Sequence, residues 1–219
     1  MSPLFMDRRD AGQQLAARLL RYAHRLDVVV VALPRGGLEV GYEVARSLNV
    51  PLDILTVRKL GVPGHEELAM GAIATGGVRV LQPDVLRTMG ITLDRIEEVA
   101  EREARELRRR EAVYRAGRPP IDLAGRTAIV VDDGLATGST MRAALRAVKT
   151  QRPAHVVLAV PVGAASTVEE LRDEADEVVC LATPEPFVAV GLWYSDFSPT
   201  TDETVADLLS RAPVPAHAG

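Results

Sequence analysis

The chain alternates between short unbroken apolar runs and stretches whose apolar residues recur every three or four positions. Residues 9 to 26 carry Leu15, Leu19, Tyr22 and Leu26 along one helical face, which predicts an amphipathic helix. The run DVVVVALPRGG, 27 to 37, is β-branched without alternation and stops at Pro-Arg-Gly-Gly. Such a run predicts a strand covered on both faces. GLEVGYEVARSLNV then predicts a helix, and PLDILTVRKLG, 51 to 61, the next strand. This β-turn-α-β order begins a parallel sheet with crossover helices.

From 61 to 78 the pattern fails. GVPGHEELAMGAIATGG holds five glycines and one proline, which predicts a long surface loop or loose hairpin. Leu68, Met70 and Ile73 offer it a small packing island. Residues 92 to 115 are strong helix formers, with favourable pairs at Glu98–Arg102, Glu101–Arg105 and Glu106–Arg110. Ile96, Ala100, Ala104 and Leu107 make a thin apolar stripe, so one side of this helix should be solvated.

TAIVVDD, 127 to 133, predicts a third strand, GSTMRAALRAVKTQ a helix, and HVVLAVPVG a fourth strand. AASTVEELRDEA predicts another helix and EVVCLAT, 177 to 183, a fifth strand. An aromatic cluster and a final helix follow, and RAPVPAHAG reads as a frayed tail. The expectation is one α/β domain over 1–211, an open, mostly parallel twisted sheet flanked by helices. Its core spans 27–182. Residues 183–211, with N-terminal residues as a candidate addition, form a small hood, and 212–219 a flexible tail.

Composition narrows the function. A formal charge of -4 with mixed signs argues against a nucleic-acid surface. The arginine-rich stretch does not change that, because six glutamates accompany six arginines between 95 and 111. The single Cys180 gives no disulfide or metal framework and fits the reducing cytoplasm. No apolar run is long enough to predict a membrane span or a secretion signal. The four histidines show no zinc-site spacing.

The stretch VVDDGLATGST, 130 to 140, carries the chemistry. Asp132 and Asp133 stand where a buried strand reaches the carboxyl end of the sheet, the edge at which open α/β folds bind ligands. Adjacent buried carboxylates need partners, since burial and mutual repulsion both oppose ionisation. Vicinal sugar hydroxyls or a hydrated magnesium ion would supply them. Ala136, Thr137, Gly138, Ser139 and Thr140 precede a helix, so backbone N–H groups and hydroxyls there suit a phosphate. Acid pair and phosphate nest together suit a sugar phosphate. No lysine follows Gly138, so this is not a GxxxxGK loop, and PRGG is not a dinucleotide fingerprint.

VVDDGLATGST resembles the phosphoribosyl-pyrophosphate signature of the type I phosphoribosyltransferases. LPRGG, VRKLG and PFVAVGLWYSDF are similar to a little-characterised bacterial subgroup of that family. The resemblance implies that Asp132 and Asp133 hold the ribose hydroxyls and that Ala136 to Thr140 hold the 5-phosphate. It implies that Arg35 and Gly36 form the pyrophosphate loop, with a cis peptide at Pro34–Arg35 or Arg35–Gly36, and that Lys59 supplies a further cation. Arg35, Lys59, Asp132 and Asp133 are thus the expected catalytic set. The implied reaction is magnesium-dependent transfer of a 5-phosphoribosyl group to a nitrogenous or aromatic acceptor, with pyrophosphate released. Mg2+ is the implied cofactor, with no side-chain metal site, and a homodimer is the common assembly. A non-catalytic module binding phosphoribosyl pyrophosphate or a nucleotide is the alternative.

The acceptor is less defined. Ala136 stands where 6-oxopurine enzymes of the family carry an aspartate. The loop is similar to the adenine-enzyme version. Phe187, Trp193 and Asp196 are the candidate acceptor residues, in a segment holding four of the chain's eight aromatics. The 61–78 segment is the candidate lid, with Glu66 and Glu67 as candidate proton acceptors.

Overall fold

The computed structural model of the chain describes residues 2–212. Helix α1, Arg8–Arg18, starts at Asp7, whose side chain accepts the Asp10 N–H at 2.8 Å. It stops earlier than expected. A 3-10 turn, Leu20–Tyr22, follows, and Leu26 lies 83% exposed outside the buried face. Strand β1 is Val28–Ala32 and helix α2 is Gly36–Leu48, ended by Asn49 in the left-handed conformation.

The strand expected over 51–61 divides. Strand β2, Leu52–Ile54, joins β1, whereas β3, Val57–Val62, enters a second sheet with β4, His65–Ala74, and β5, Val78–Leu81. Hydrogen bonds at two residues, Asp53 and Thr56, set the break. Asp53 is held by Arg115 at 2.6 Å and by the Ile121 N–H at 2.7 Å. Beyond it, the Thr56 N–H donates to Thr75 Oγ1 while the Thr75 N–H donates to the Thr56 carbonyl, each at 2.9 Å.

The segment expected as a loop or loose hairpin is therefore an ordered antiparallel sheet. Leu60, Val62, Met70 and Ile73 pack against Ile96, Val99, Ala100 and Leu107. Its glycines permit close strand approach, for a Cβ on Gly71 would lie 2.5 Å from the Val80 carbonyl oxygen. Leu68 stays outside this packing at 43% exposure, in the exposed tip His65–Leu68.

Helices α3, Pro83–Thr88, and α4, Leu93–Arg115, return the chain to β6, Thr127–Val131. Then come α5, Ser139–Thr150, β7, His155–Val162, α6, Ala165–Glu170, β8, Glu177–Ala182, and α7, Asp202–Arg211. The main sheet has the order β2-β1-β6-β7-β8, and every pair is parallel. Alternation within the strands feeds two cores. Val28, Val30 and Ala32 face α2 and α7, while Val29 and Val31 face α5.

After β8 the chain makes one 3-10 turn, Val190–Trp193, and packs with the N-terminal residues. Leu4 and Phe5 donate their N–H groups to the Trp193 carbonyl, and Ser195 and Asp196 donate back to Phe5 and Met6. Ala212 is buried in the core. The rest of the expected tail, 213–219, lies outside the described residues. Among the described residues no helix is long and apolar enough to cross a membrane.

Candidate functional site

Strands β1 and β6 are neighbours, but the sheet continues to β2 on one side and to β7 on the other. The carboxyl ends of β1 and β6 thus border a topological switch point, where open α/β sheets leave a crevice. Arg35 and Gly36 follow β1, and Asp132 and Asp133 follow β6. The Leu33 N–H donates to the Val131 carbonyl at 2.9 Å and keeps the two exits together. The Pro34–Arg35 peptide is cis.

Two glycines bring the exits into contact. A Cβ on Gly36 would stand 2.9 Å from Asp133 Cγ and 2.7 Å from Arg8 Nε. One on Gly37 would stand 2.8 Å from Asp132 Cα. No larger residue allows the loop after β1 to lie this close to the acid pair.

Burial pushes the Asp132 carboxyl well above its ordinary range, and the neighbouring Asp133 charge pushes the same way. The Asp133 N–H, donating to Asp132 Oδ1 at 2.9 Å, opposes both. Burial raises Asp133 too, while the Arg8 guanidinium, 2.8 Å from its Oδ2, pulls it down. The pair costs stability where it stands, a common property of binding carboxylates.

Leu135 anchors the following loop, donating its N–H to the Val162 carbonyl and accepting from the Ala164 N–H. Ala136, Thr137, Ser139 and Thr140 are exposed, and α5 begins at Ser139. Gly138 sits at φ +68, with Thr167 Cγ2 only 2.6 Å from where a Cβ would be. Both conformation and space select glycine there. Thr167 Oγ1 donates to the Ala136 carbonyl at 2.7 Å, and the Thr137 and Ser139 hydroxyls lie 3.2 Å apart. The result is an exposed ring of hydroxyls at a helix start, suited to an anion.

Arg35 is half exposed and has one long contact, 3.7 Å from Asp202 Oδ1. It stands at the switch point with Gly36. Lys59 comes from the second sheet. It lines a pocket of about 160 Å³ between the second sheet and α5, together with Ser139 and Thr140, and its Nζ lies 3.4 Å from Glu67 Oε2. The structure thus sets Lys59 beside the hydroxyl loop. Glu66 is held below its ordinary range by its own and the Gly64 N–H groups, which disfavours it as a proton acceptor.

The acceptor candidates separate. Phe187 borders an open pocket with Ala164, Ala165, Ser166, Glu185 and Pro186. Trp193 is buried at 4% exposure and backs Phe187 as a stacked ring at 6.3 Å. It offers packing, because it is buried in a cluster with Phe5, Ala11, Val162 and Tyr194. Asp196 is exposed and accepts from the Ser198 N–H and hydroxyl. Cys180 donates to the Ala182 carbonyl, with its thiol pushed up to about 11 by burial.

Sequence reasoning missed Arg8, Thr167 and Tyr194. The Tyr194 hydroxyl donates to the Asp133 carbonyl at 2.5 Å, and Val190 fills the space a Cβ on Gly134 would need. The hood is therefore fastened to the acid loop. Tyr194→Phe is expected to cost about 1 kcal/mol of stability by losing that bond, read as a lower urea midpoint at unchanged slope.

These features define an open α/β domain whose polar loops meet at a switch point. The family model of the phosphoribosyl transferase domain matches residues 7–194, and the chain belongs to that family. A crystal structure of TT1426 from Thermus thermophilus is 45% identical, with a TM-score of 0.85, covering 94% of this chain and 97% of that one. The Mycobacterium tuberculosis protein Rv0571c, whose name assigns it provisionally as a phosphoribosyl transferase, is 50% identical over 209 residues. That match covers 95% of this chain but 47% of the relative, so the chain spans about half its length. The bifunctional protein PyrR of Deinococcus radiodurans is 38% identical over 112 residues, 51% of this chain and 55% of that protein.

Proposed function

We propose that this domain transfers a 5-phosphoribosyl group from phosphoribosyl pyrophosphate to a nitrogenous or aromatic acceptor, with release of pyrophosphate. The observation that carries this reading is the convergence of three elements at one switch point: the Arg35–Gly36–Gly37 turn, the Asp132–Asp133 pair and the Ala136–Thr140 loop. In this reading the loop N–H groups and hydroxyls bind the 5-phosphate, and the carboxylates accept the ribose hydroxyls. Arg35 turns from its long contact with Asp202 to the diphosphate, where a planar cation matches phosphate oxygens. Holding both ends of the ribose orients the anomeric carbon for in-line attack, and Arg35 stabilises the leaving diphosphate.

Among the described residues no three His, Cys, Asp or Glu side chains gather as a metal-binding group, and Asp133 is already engaged by Arg8. Asp132 and Asp133 would hold a hydrated magnesium ion indirectly, through ribose hydroxyls or water. When bound, the ion would spread the diphosphate charge. Phe187, at the open pocket beyond β7, is the surface for a planar acceptor.

The test supplies phosphoribosyl pyrophosphate, magnesium and a panel of purines, pyrimidines and small amines, following pyrophosphate and nucleotide together. Acceptor-dependent release of pyrophosphate in step with nucleotide is expected. Donor binding without turnover across the panel would instead make the domain a donor-binding regulatory module. No donor binding at all would end both readings.

A further inference from the structure

Arg8 is 7% exposed, and its most direct hydrogen bond, Nε to Asp133 Oδ2 at 2.8 Å, crosses 125 residues of sequence. Its Nη1 donates to the Ser198 carbonyl at 2.8 Å and lies 4.0 Å from Glu39 Oε1. The guanidinium lies 3.8 Å from the centre of the Phe197 ring. Gly36 leaves no side chain between its own backbone and the Arg8–Asp133 pair. One buried cation thus touches the acid pair, the turn after β1 and the hood.

A structural pin would not need this arrangement. A buried ion pair is often replaced by apolar residues at no loss of stability, so its presence at a ligand crevice calls for another role. We infer that Arg8 is a positioning residue for the ribose end of the donor, fixing Asp133 by Oδ2 so that Oδ1 accepts a sugar hydroxyl, with the hood locking Arg8 in place. The inference rests on the donor-binding reading above. Arg8 touches no ligand in this scheme and acts through Asp133. The hood and the grip on the ribose are thereby coupled, because Phe197 and Ser198 hold the residue that holds Asp133.

The test titrates ribose 5-phosphate and inorganic phosphate into the full chain and into Arg8→Met, followed by NMR shifts, with thermal melting in parallel. Arg8→Met is expected to weaken ribose 5-phosphate about tenfold, the effect of one charge-assisted hydrogen bond, while inorganic phosphate stays within about twofold. Inorganic phosphate needs the 136–140 loop alone. Arg8→Lys, which keeps the charge, should recover most of the loss. Equal losses for both ligands, or none for either, would overturn the inference. If Arg8→Met does not melt cooperatively, the neutral Arg8→Gln is read in its place: a loss confined to ribose 5-phosphate supports positioning, and an equal loss for both ligands, or none for either, overturns it. Wild-type protein that binds phosphate but not ribose 5-phosphate would overturn the inference alone, whereas binding of neither would overturn the donor reading with it.

Discussion

Asp132→Asn should melt at a higher temperature than the natural protein at neutral pH while binding phosphoribosyl pyrophosphate about a hundredfold more weakly. Both effects have one origin. Asp132 is pushed well above the ordinary carboxylate range by burial and by the Asp133 charge, so its ionised form is unfavourable in the folded state. The sign of the pH effect follows. In the unfolded chain the group titrates near 3.9, and in the folded protein it holds its proton to higher pH. The folded state therefore binds more protons across that window, and stability falls as pH rises through it. Asparagine keeps the acceptor for the Asp133 N–H but carries no proton to lose. Its advantage should be absent below about pH 4 and grow as pH rises above it.

Each 1 kcal/mol gained should appear as about 2–4 °C in the melting temperature for a chain of this size. Donor affinity moves the opposite way, because an amide cannot present two acceptor oxygens to ribose hydroxyls. A melting temperature at pH 8 equal to or below that of the natural protein would mean that the carboxyl is not strained by its surroundings. Undiminished donor affinity would remove Asp132 from the ribose site. Stability given up for function at one position is common where charged groups sit in a crevice.

The parts of this fold that could be read in advance are those whose signal is local. The runs that became β1, β6 and β7 are unbroken and bounded by turn residues, so a buried parallel sheet followed directly. The acid pair and the glycine-hydroxyl loop were equally legible, because strand, acids, loop and helix are consecutive. What failed depends on distant partners. The division of 51–61 into β2 and β3 is imposed on Asp53 by Arg115 and on Thr56 by Thr75. Gly61 and Gly71 read as loop residues, yet they serve strands packed too closely for a side chain. Trp193 read as an acceptor surface because its burial with Phe5, Ala11 and Val162 depends on residues far off in sequence. Arg8 carried no local sign of its role, since its partner is 125 residues away.

Gly36→Ala tests whether the turn after β1 and the acid pair form one site. The glycine heads α2 at a backbone conformation open to any residue, so alanine introduces no torsional strain. Its methyl group would instead meet Asp133 Oδ2, Asp133 Cγ at 2.9 Å and Arg8 Nε at 2.7 Å. These atoms belong to side chains already paired with each other, so neither moves without breaking the pair. Overpacking of this kind costs about 1–3 kcal/mol, and here it falls on the orientation of Asp133, lowering donor affinity by about 10- to 100-fold. Gly37→Ala should differ. Its methyl would meet backbone, Asp132 Cα at 2.8 Å and the Val131 carbonyl oxygen at 3.0 Å, and the main chain must separate to accept it. Gly37→Ala is therefore expected to lower the melting temperature more, and Gly36→Ala to lower donor affinity more at a given loss of stability. In an Asp133→Asn background the affinity cost of Gly36→Ala should shrink, because the two changes disturb the same contact and are not additive. Donor affinity unchanged by Gly36→Ala would show that the turn does not press on the carboxylate that grips the ribose.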